Sequence, residues 1–180
     1  NNPGVIPNLM EYTRDHTEID VVPEQVVVKP TDDRLFEFPI VYVTGHGNIR
    51  FNKRERNYLR RYMLAGGFVY ADDDYGMDES FRREVKKLFP DRRLRPIGKN
   101  HPLLTSYYQF ESVPRIHEHD PEKPPRAFGI KHEGQWVLLY TYNTNISDGW
   151  ASEEVHGDPP EKRRQALQFG VNILYWIFSQ

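Results

Sequence analysis

The sequence contains no cysteine in its 180 residues. A disulfide framework, a thiolate zinc site and a cysteine nucleophile are all excluded by that absence. It also lacks a large excess of either charge. The formal net charge is −2, too small to draw the chain to nucleic acid or to an anionic membrane surface. Arginines gather at Arg54, Arg56, Arg60 and Arg61, at Arg82 and Arg83, and at Arg92, Arg93 and Arg95, with acidic residues interspersed. Faces of mixed sign are solvated helix surfaces, and no basic stripe interleaved with aromatics is present to hold nucleic acid. The longest apolar stretch, from Phe169 to Phe178, is too short and too interrupted to span a bilayer. Nothing reads as a signal peptide, which needs a basic start and an apolar run. The first residue is Asn1 rather than Met, as in a processed or trimmed chain. Nucleophile and phosphate motifs are missing too: there is no Gly-X-Ser-X-Gly, no Gly-X-Gly-X-X-Gly and no phosphate-binding loop.

What is present suits one globular domain over residues 1–180. A chain of this length buries about 70% of its unfolded surface, and the 11 Tyr and 10 Phe supply bulky core material that a disordered chain would lack. The pattern predicts α/β. A short helix follows Pro7 through Thr13, and strands are expected at Thr17 to Val21 and at Gln25 to Val28. Asp32 to Phe38 reads as a turn or short helical piece. Ile40-Val41-Tyr42-Val43-Thr44, stopping at Gly45, is an apolar, β-branched run of the kind buried in parallel sheets. A helix follows, with Asn52 and Glu55 as a capping box and Gly66 as its left-handed stop. Gly67 to Ala71 is a second buried strand, so the span forms a βαβ unit.

A second helix runs from Asp78 to Pro90, and a short strand is expected at Leu94 to Ile97. Five prolines between His101 and Pro125 indicate a long loop with little regular structure; loops of this length in a compact domain are often functional. Ala127 to Ile130 and Trp136 to Tyr142 are strands of an antiparallel hairpin turning at His132 to Gly134. The last helix is expected to be capped by Asp158, with Pro159 first and Glu161 completing a box. Its buried stripe is Leu167, Val171, Leu174 and Phe178, with Gly170 allowing close approach to the sheet.

In open parallel sheets the loops leaving the carboxyl ends of the strands build the binding crevice. Three strand exits carry polar groups here. One gives Thr44-Gly45-His46-Gly47, the next Asp72-Asp73-Asp74-Tyr75-Gly76, and the last Asn143-Thr144-Asn145 with Asp148 and Trp150 close behind. Candidate ligand-binding residues are therefore His46, Asp72, Asp73, Asp74, Tyr75, Asn143 and Trp150. Hard divalent cations take carboxylate oxygens. Alternation along an extended chain turns Asp72 and Asp74 one way and Asp73 the other, so Asp72 and Asp74 are the candidate metal pair. The competing reading is structural, with one aspartate bonding backbone amides to hold an acidic turn and another capping the next helix. Under either reading the three carboxylates repel one another, and something must neutralise them. His117 and His119, two residues apart, would share a face of an extended segment and could chelate a borderline metal.

Several segments resemble the bacterial domain of unknown function 4159 family. They are Tyr58-Leu59-Arg60-Arg61-Tyr62, then Ala65-Gly66-Gly67-Phe68-Val69-Tyr70-Ala71-Asp72-Asp73, together with Phe89-Pro90, His101-Pro102-Leu103 and Gly170-Val171-Asn172-Ile173-Leu174-Tyr175. Thr17-Glu18-Ile19 and Tyr42-Val43-Thr44-Gly45 fit the same pattern, so the resemblance spans nearly the whole chain. It implies a three-layer α/β sandwich with a mostly parallel central sheet, similar to class I glutamine amidotransferases and flavodoxin-like domains. It also implies an exported protein, periplasmic or associated with the cell envelope. In amidotransferases the strand after such a helix ends in an elbow bearing a cysteine nucleophile. The corresponding exit here is Asp72-Asp73-Asp74, and a carboxylate cannot replace the thiolate, so glutaminase chemistry is excluded.

Two functions from different classes remain in contest. The first is a non-catalytic binding domain of the envelope, contacting a partner protein or a small polar or glycan ligand without any resident cofactor. The second is a metal-assisted hydrolase using the Asp72 to Asp74 segment and a histidine around a divalent cation. A purely structural role for the acidic segment is the third reading.

Overall fold

A parallel pair of strands joined by a helix sets the architecture. The computed structural model describes residues 4–180. In it β1 (Ile40–His46) and β2 (Phe68–Tyr75) are joined by helix α2 (Lys53–Leu64), and the two strands pair in parallel. β2 also pairs in parallel with β5 (Gln135–Tyr142). β5 pairs antiparallel with β4 (Arg126–His132), and β4 with the two-residue β3 (Arg95–Pro96). The result is a mixed five-stranded sheet in the order β1-β2-β5-β4-β3. Strands β4 and β5 form the expected hairpin. Its turn residues Glu133 and Gly134 both have positive φ, 49° and 90°, the geometry that matches strand twist in a two-residue turn.

Helices cover both faces. Alternation along β2 sends Phe68 and Tyr70 into a core with α1 (Val5–His16) and α5 (Pro160–Phe178), and Val69 and Ala71 into a core with α2 and α3 (Asp78–Leu88). Asn52 accepts from the N–H groups of Arg54 and Glu55, and Glu55 reaches back to Asn52 N–H, so the capping box forms as read. Gly66 has φ +101° and stops α2. On α3 the carboxylate of Glu84 is fully enclosed, and Lys87, Arg83 and Arg56 surround it at 2.7, 3.3 and 3.7 Å.

Several expectations are corrected. No strand forms over 17–21 or 25–28. Pro23 interrupts that segment, no neighbouring strand pairs with it, and Val22, Val26 and Val27 stay exposed. β-branched composition yields a strand only when a partner supplies hydrogen bonds and packing. β1 runs on to His46, two residues past its expected end. The acidic segment is strand rather than turn: Thr44 pairs with Asp72 and Gly45 with Asp73, and the chain turns only at Gly76, where φ is +69°. At α5, Pro159 is the capping residue and Pro160 the first helical one, with no side-chain cap. Phe178 is exposed. Gly170 admits Leu9 of α1 and Trp150 rather than the sheet, since a methyl group there would sit 2.4 Å from Leu9 Cδ1 and 3.1 Å from the Trp150 indole.

Candidate functional site

The carboxyl ends of β1, β2 and β5 lie side by side, because the three strands are adjacent and parallel. A cleft of about 1090 Å³ opens along β1 toward this end. One side is apolar, with Val26, Val27, Val28, Val41 and Val43 among its lining residues. The other carries His46, Asp74, His119, Asp148 and His156.

A chain of polar contacts crosses the mouth. His46 Nδ1 lies 3.1 Å from Asp74 Oδ2. The Asn145 side-chain amide donates to Asp74 Oδ1 at 2.8 Å and to Asp148 Oδ2 at 2.5 Å. Asp148 Oδ2 is 3.0 Å from His117 Nδ1, and His117 Nε2 is 2.5 Å from Asp158 Oδ1. His156 Nε2 approaches the other oxygen of Asp148 at 3.6 Å. Asn145 is fully buried with φ +41°, a left-handed conformation that asparagine tolerates better than most residues. The hydrogen bond to Asp148 raises the His117 pKa against the lowering effect of burial, and its contact with Asp158 acts in the same direction.

Asp72 and Asp73 lie beneath this layer. Asp72 is fully buried. One oxygen accepts from Ser147 N–H at 2.7 Å and the other from the Thr141 hydroxyl. Burial pushes its carboxyl up to about 6, with those two donors pulling the other way. Asp73 faces the opposite side, as alternation requires, and accepts from Met77 N–H at 3.0 Å. Burial raises its pKa as well, opposed by that amide. The three carboxylates thus answer their mutual repulsion separately. Asp72 takes a hydroxyl and an amide, Asp73 an amide, and Asp74 an asparagine and a histidine.

Of the sequence-derived candidates, the structure brings His46, Asp74 and Tyr75 to the cleft. Asn143 has φ +55° and is buried; its side chain accepts from the N–H groups of His119 and Asp120 and donates to the carbonyls of Asp120 and Lys123. It clamps the proline-rich loop onto the end of β5. Trp150, expected on a contact surface, is a core residue 1% exposed whose indole N–H donates to Ala166 C=O. Asp72 and Asp74 turn to the same side, and Asp72 there already spends both oxygens on protein donors. His117 and His119 do not share a face. No strand holds that loop, so His117 turns to the two aspartates while His119 packs edge-on against Tyr75, 4.9 Å between ring centres. Asp158, expected to cap α5, instead contacts His117. His156 escaped sequence reasoning because a single histidine in a polar loop carries no spacing signal.

A mixed α/β sheet whose parallel strands end at a polar cleft defines the general class. The chain matches the family described as Domain of unknown function (DUF4159) over residues 1–178, and it belongs to that family. A comparison with curated proteins found no match.

Proposed function

We propose that this chain is a non-catalytic binding domain of the cell envelope that takes an extended, basic peptide segment of a partner protein along the outer edge of β1. The observation that carries this reading is an unpaired sheet edge opening into a cleft. Phe68 N–H donates to Pro39 C=O. Residues of a parallel pair face the partner strand alternately, so Ile40, Tyr42 and Thr44 direct their backbone N–H and C=O groups away from β2. Among the described residues no hydrogen bond reaches those groups. The opposite edge is blunted, because β3 has two residues and one is Pro96, the usual protection against strand addition. β1 has seven residues and no such protection.

Charge selects the occupant. Glu24, Asp74 and Asp148 line the cleft, and no Lys or Arg does, in a chain that has 24 of them. The valines on the apolar side suit alternate side chains of an added strand better than they suit a glycan. The helices on both faces and the three adjacent parallel strands support the finer amidotransferase-like, flavodoxin-like assignment. Location in the envelope rests on the exported character implied by the family resemblance.

The test is fluorescence anisotropy with labelled octapeptides of alternating Val-Lys and alternating Val-Glu. The basic peptide should bind at least tenfold more tightly at low salt, and Asp74→Asn should weaken it about fivefold, or ~1 kcal/mol. Equal affinity for the two peptides, or no binding of either, would overturn the reading.

A further inference from the structure

His117 stands between two carboxylates, and the arrangement cannot be satisfied by a neutral imidazole. Such a ring has one N–H and donates to one acceptor only. If Nε2–H donates to Asp158 at 2.5 Å, the Nδ1 lone pair faces Asp148 Oδ2 at 3.0 Å. Between two ionised carboxylates this close, the ring needs a cation, either a second ring proton or a metal ion. His156 adds a third donor atom from the short helix α4 (Glu153–His156), its Nε2 lying 3.6 Å from Asp148 Oδ1. Ligand atoms of His117, Asp148 and His156 all lie within 4.8 Å of one another. Around a tetrahedral ion with bonds of about 2.0–2.1 Å, ligand atoms sit roughly 3.3 Å apart. The Asp148 carboxylate lies between the two rings, Oδ2 at 3.0 Å from His117 and Oδ1 at 3.6 Å from His156, and the three ligand atoms need only draw in from within 4.8 Å to reach that spacing.

We infer that His117 Nδ1, Asp148 and His156 Nε2 form a three-ligand site for a divalent transition ion of the zinc class. Two imidazoles and one carboxylate are the donors such ions prefer, whereas calcium and magnesium take oxygen. Asp158 serves as a positioning residue: by accepting from Nε2 it fixes the ring tautomer and turns Nδ1 inward, as carboxylate partners of metal-bound histidines do. Asn145 orients Asp148 from the other side. Asp148 and His156 both line the cleft, so a fourth coordination position faces solvent and any bound ligand. The ligands differ from the Asp72 and Asp74 pair expected from sequence. The site also stands independently of peptide binding, since it draws on one of the three cleft carboxylates and leaves Glu24 and Asp74 to keep that surface anionic.

Because the His117 pKa is raised by Asp148, protons compete with the ion, and the titration belongs near pH 8. Calorimetry with Zn²⁺ on the chain should give one site with a micromolar or tighter Kd. Co²⁺ in its place should show the intense visible absorption of tetrahedral coordination. His156→Ala, on an exposed four-residue helix, should weaken Zn²⁺ at least thirtyfold with unchanged circular dichroism. Asp158→Asn should cost ten- to a hundredfold. A Kd weaker than millimolar, an affinity indifferent to His156→Ala, or a Co²⁺ spectrum of octahedral type would overturn the site and leave His117 as an imidazolium clasped by two aspartates.

Discussion

Asp72 is the residue on which sequence and environment disagree most sharply, since a carboxyl group buried without a cation ought to resist ionisation. It does. The unfolded carboxyl releases its proton near 3.8, while the folded one holds it to about 6. Between those values the folded state binds more protons than the unfolded state, so stability is greatest on the acid side and falls as pH rises through that window. At about 1.4 kcal/mol per pH unit the loss is on the order of 3 kcal/mol by neutrality. Asp72→Asn removes the titration yet keeps an oxygen to accept from Ser147 and an amide to donate to Thr141. Melting temperatures from pH 4 to 7 should therefore decline less steeply in this variant than in the parent chain. Its stability at pH 7 should equal or exceed the parent's, and the residual slope belongs to Asp73, which burial also pushes up. An undiminished slope would show that Asp72 is not the titrating group.

The secondary-structure elements were legible wherever local chemistry and tertiary need agreed. The Asn52 and Glu55 capping box, the Gly66 stop, the buried runs of β1, β2 and β5 and the hairpin turn each announce themselves within a few residues. The failures arose where a long-range partner decides. The valines of 21–28 are β-prone but find no strand to join. Asp72 and Asp73 look like a turn by composition, yet they continue β2 because β1 pairs with both and β5 with Asp72, while Ser147, Thr141 and Met77 satisfy their oxygens. The His117, Asp148, His156 and Asp158 cluster draws on three separated segments, and spacing along the chain gives no hint of it. At α5 the sequence flagged Gly170 correctly and its neighbour incorrectly. Alanine in a helix interior normally gains about 1 kcal/mol over glycine, but here the added methyl meets Leu9 and Trp150. Overpacking of this kind costs about 1–3 kcal/mol, so Gly170→Ala should be net destabilising by roughly 1 kcal/mol in urea denaturation. A stabilised variant would mean that α1 can shift outward to admit the methyl.

At the scale of the whole molecule, the two ends of the sheet have opposite characters. β3 closes one edge with a proline and an arginine, while the seven-residue β1 turns the backbone groups of Ile40, Tyr42 and Thr44 outward beside an acidic, partly apolar cleft. The sheet order could not be read from the sequence, because nothing local says that β5 inserts between β2 and β4 and leaves β1 outermost. That order makes the cleft, and it also brings the three polar strand exits together. Hydrogen exchange followed by NMR, with the Val-Lys peptide absent and then saturating, tests the central claim at single-residue resolution. The amides of Ile40, Tyr42 and Thr44 should exchange rapidly in the free chain and at least tenfold more slowly with peptide bound. Those of Val41 and Val43, already paired to β2, should change little. Unaltered exchange at Ile40, Tyr42 and Thr44 under saturating peptide, or new protection at another surface instead, would contradict strand addition at β1.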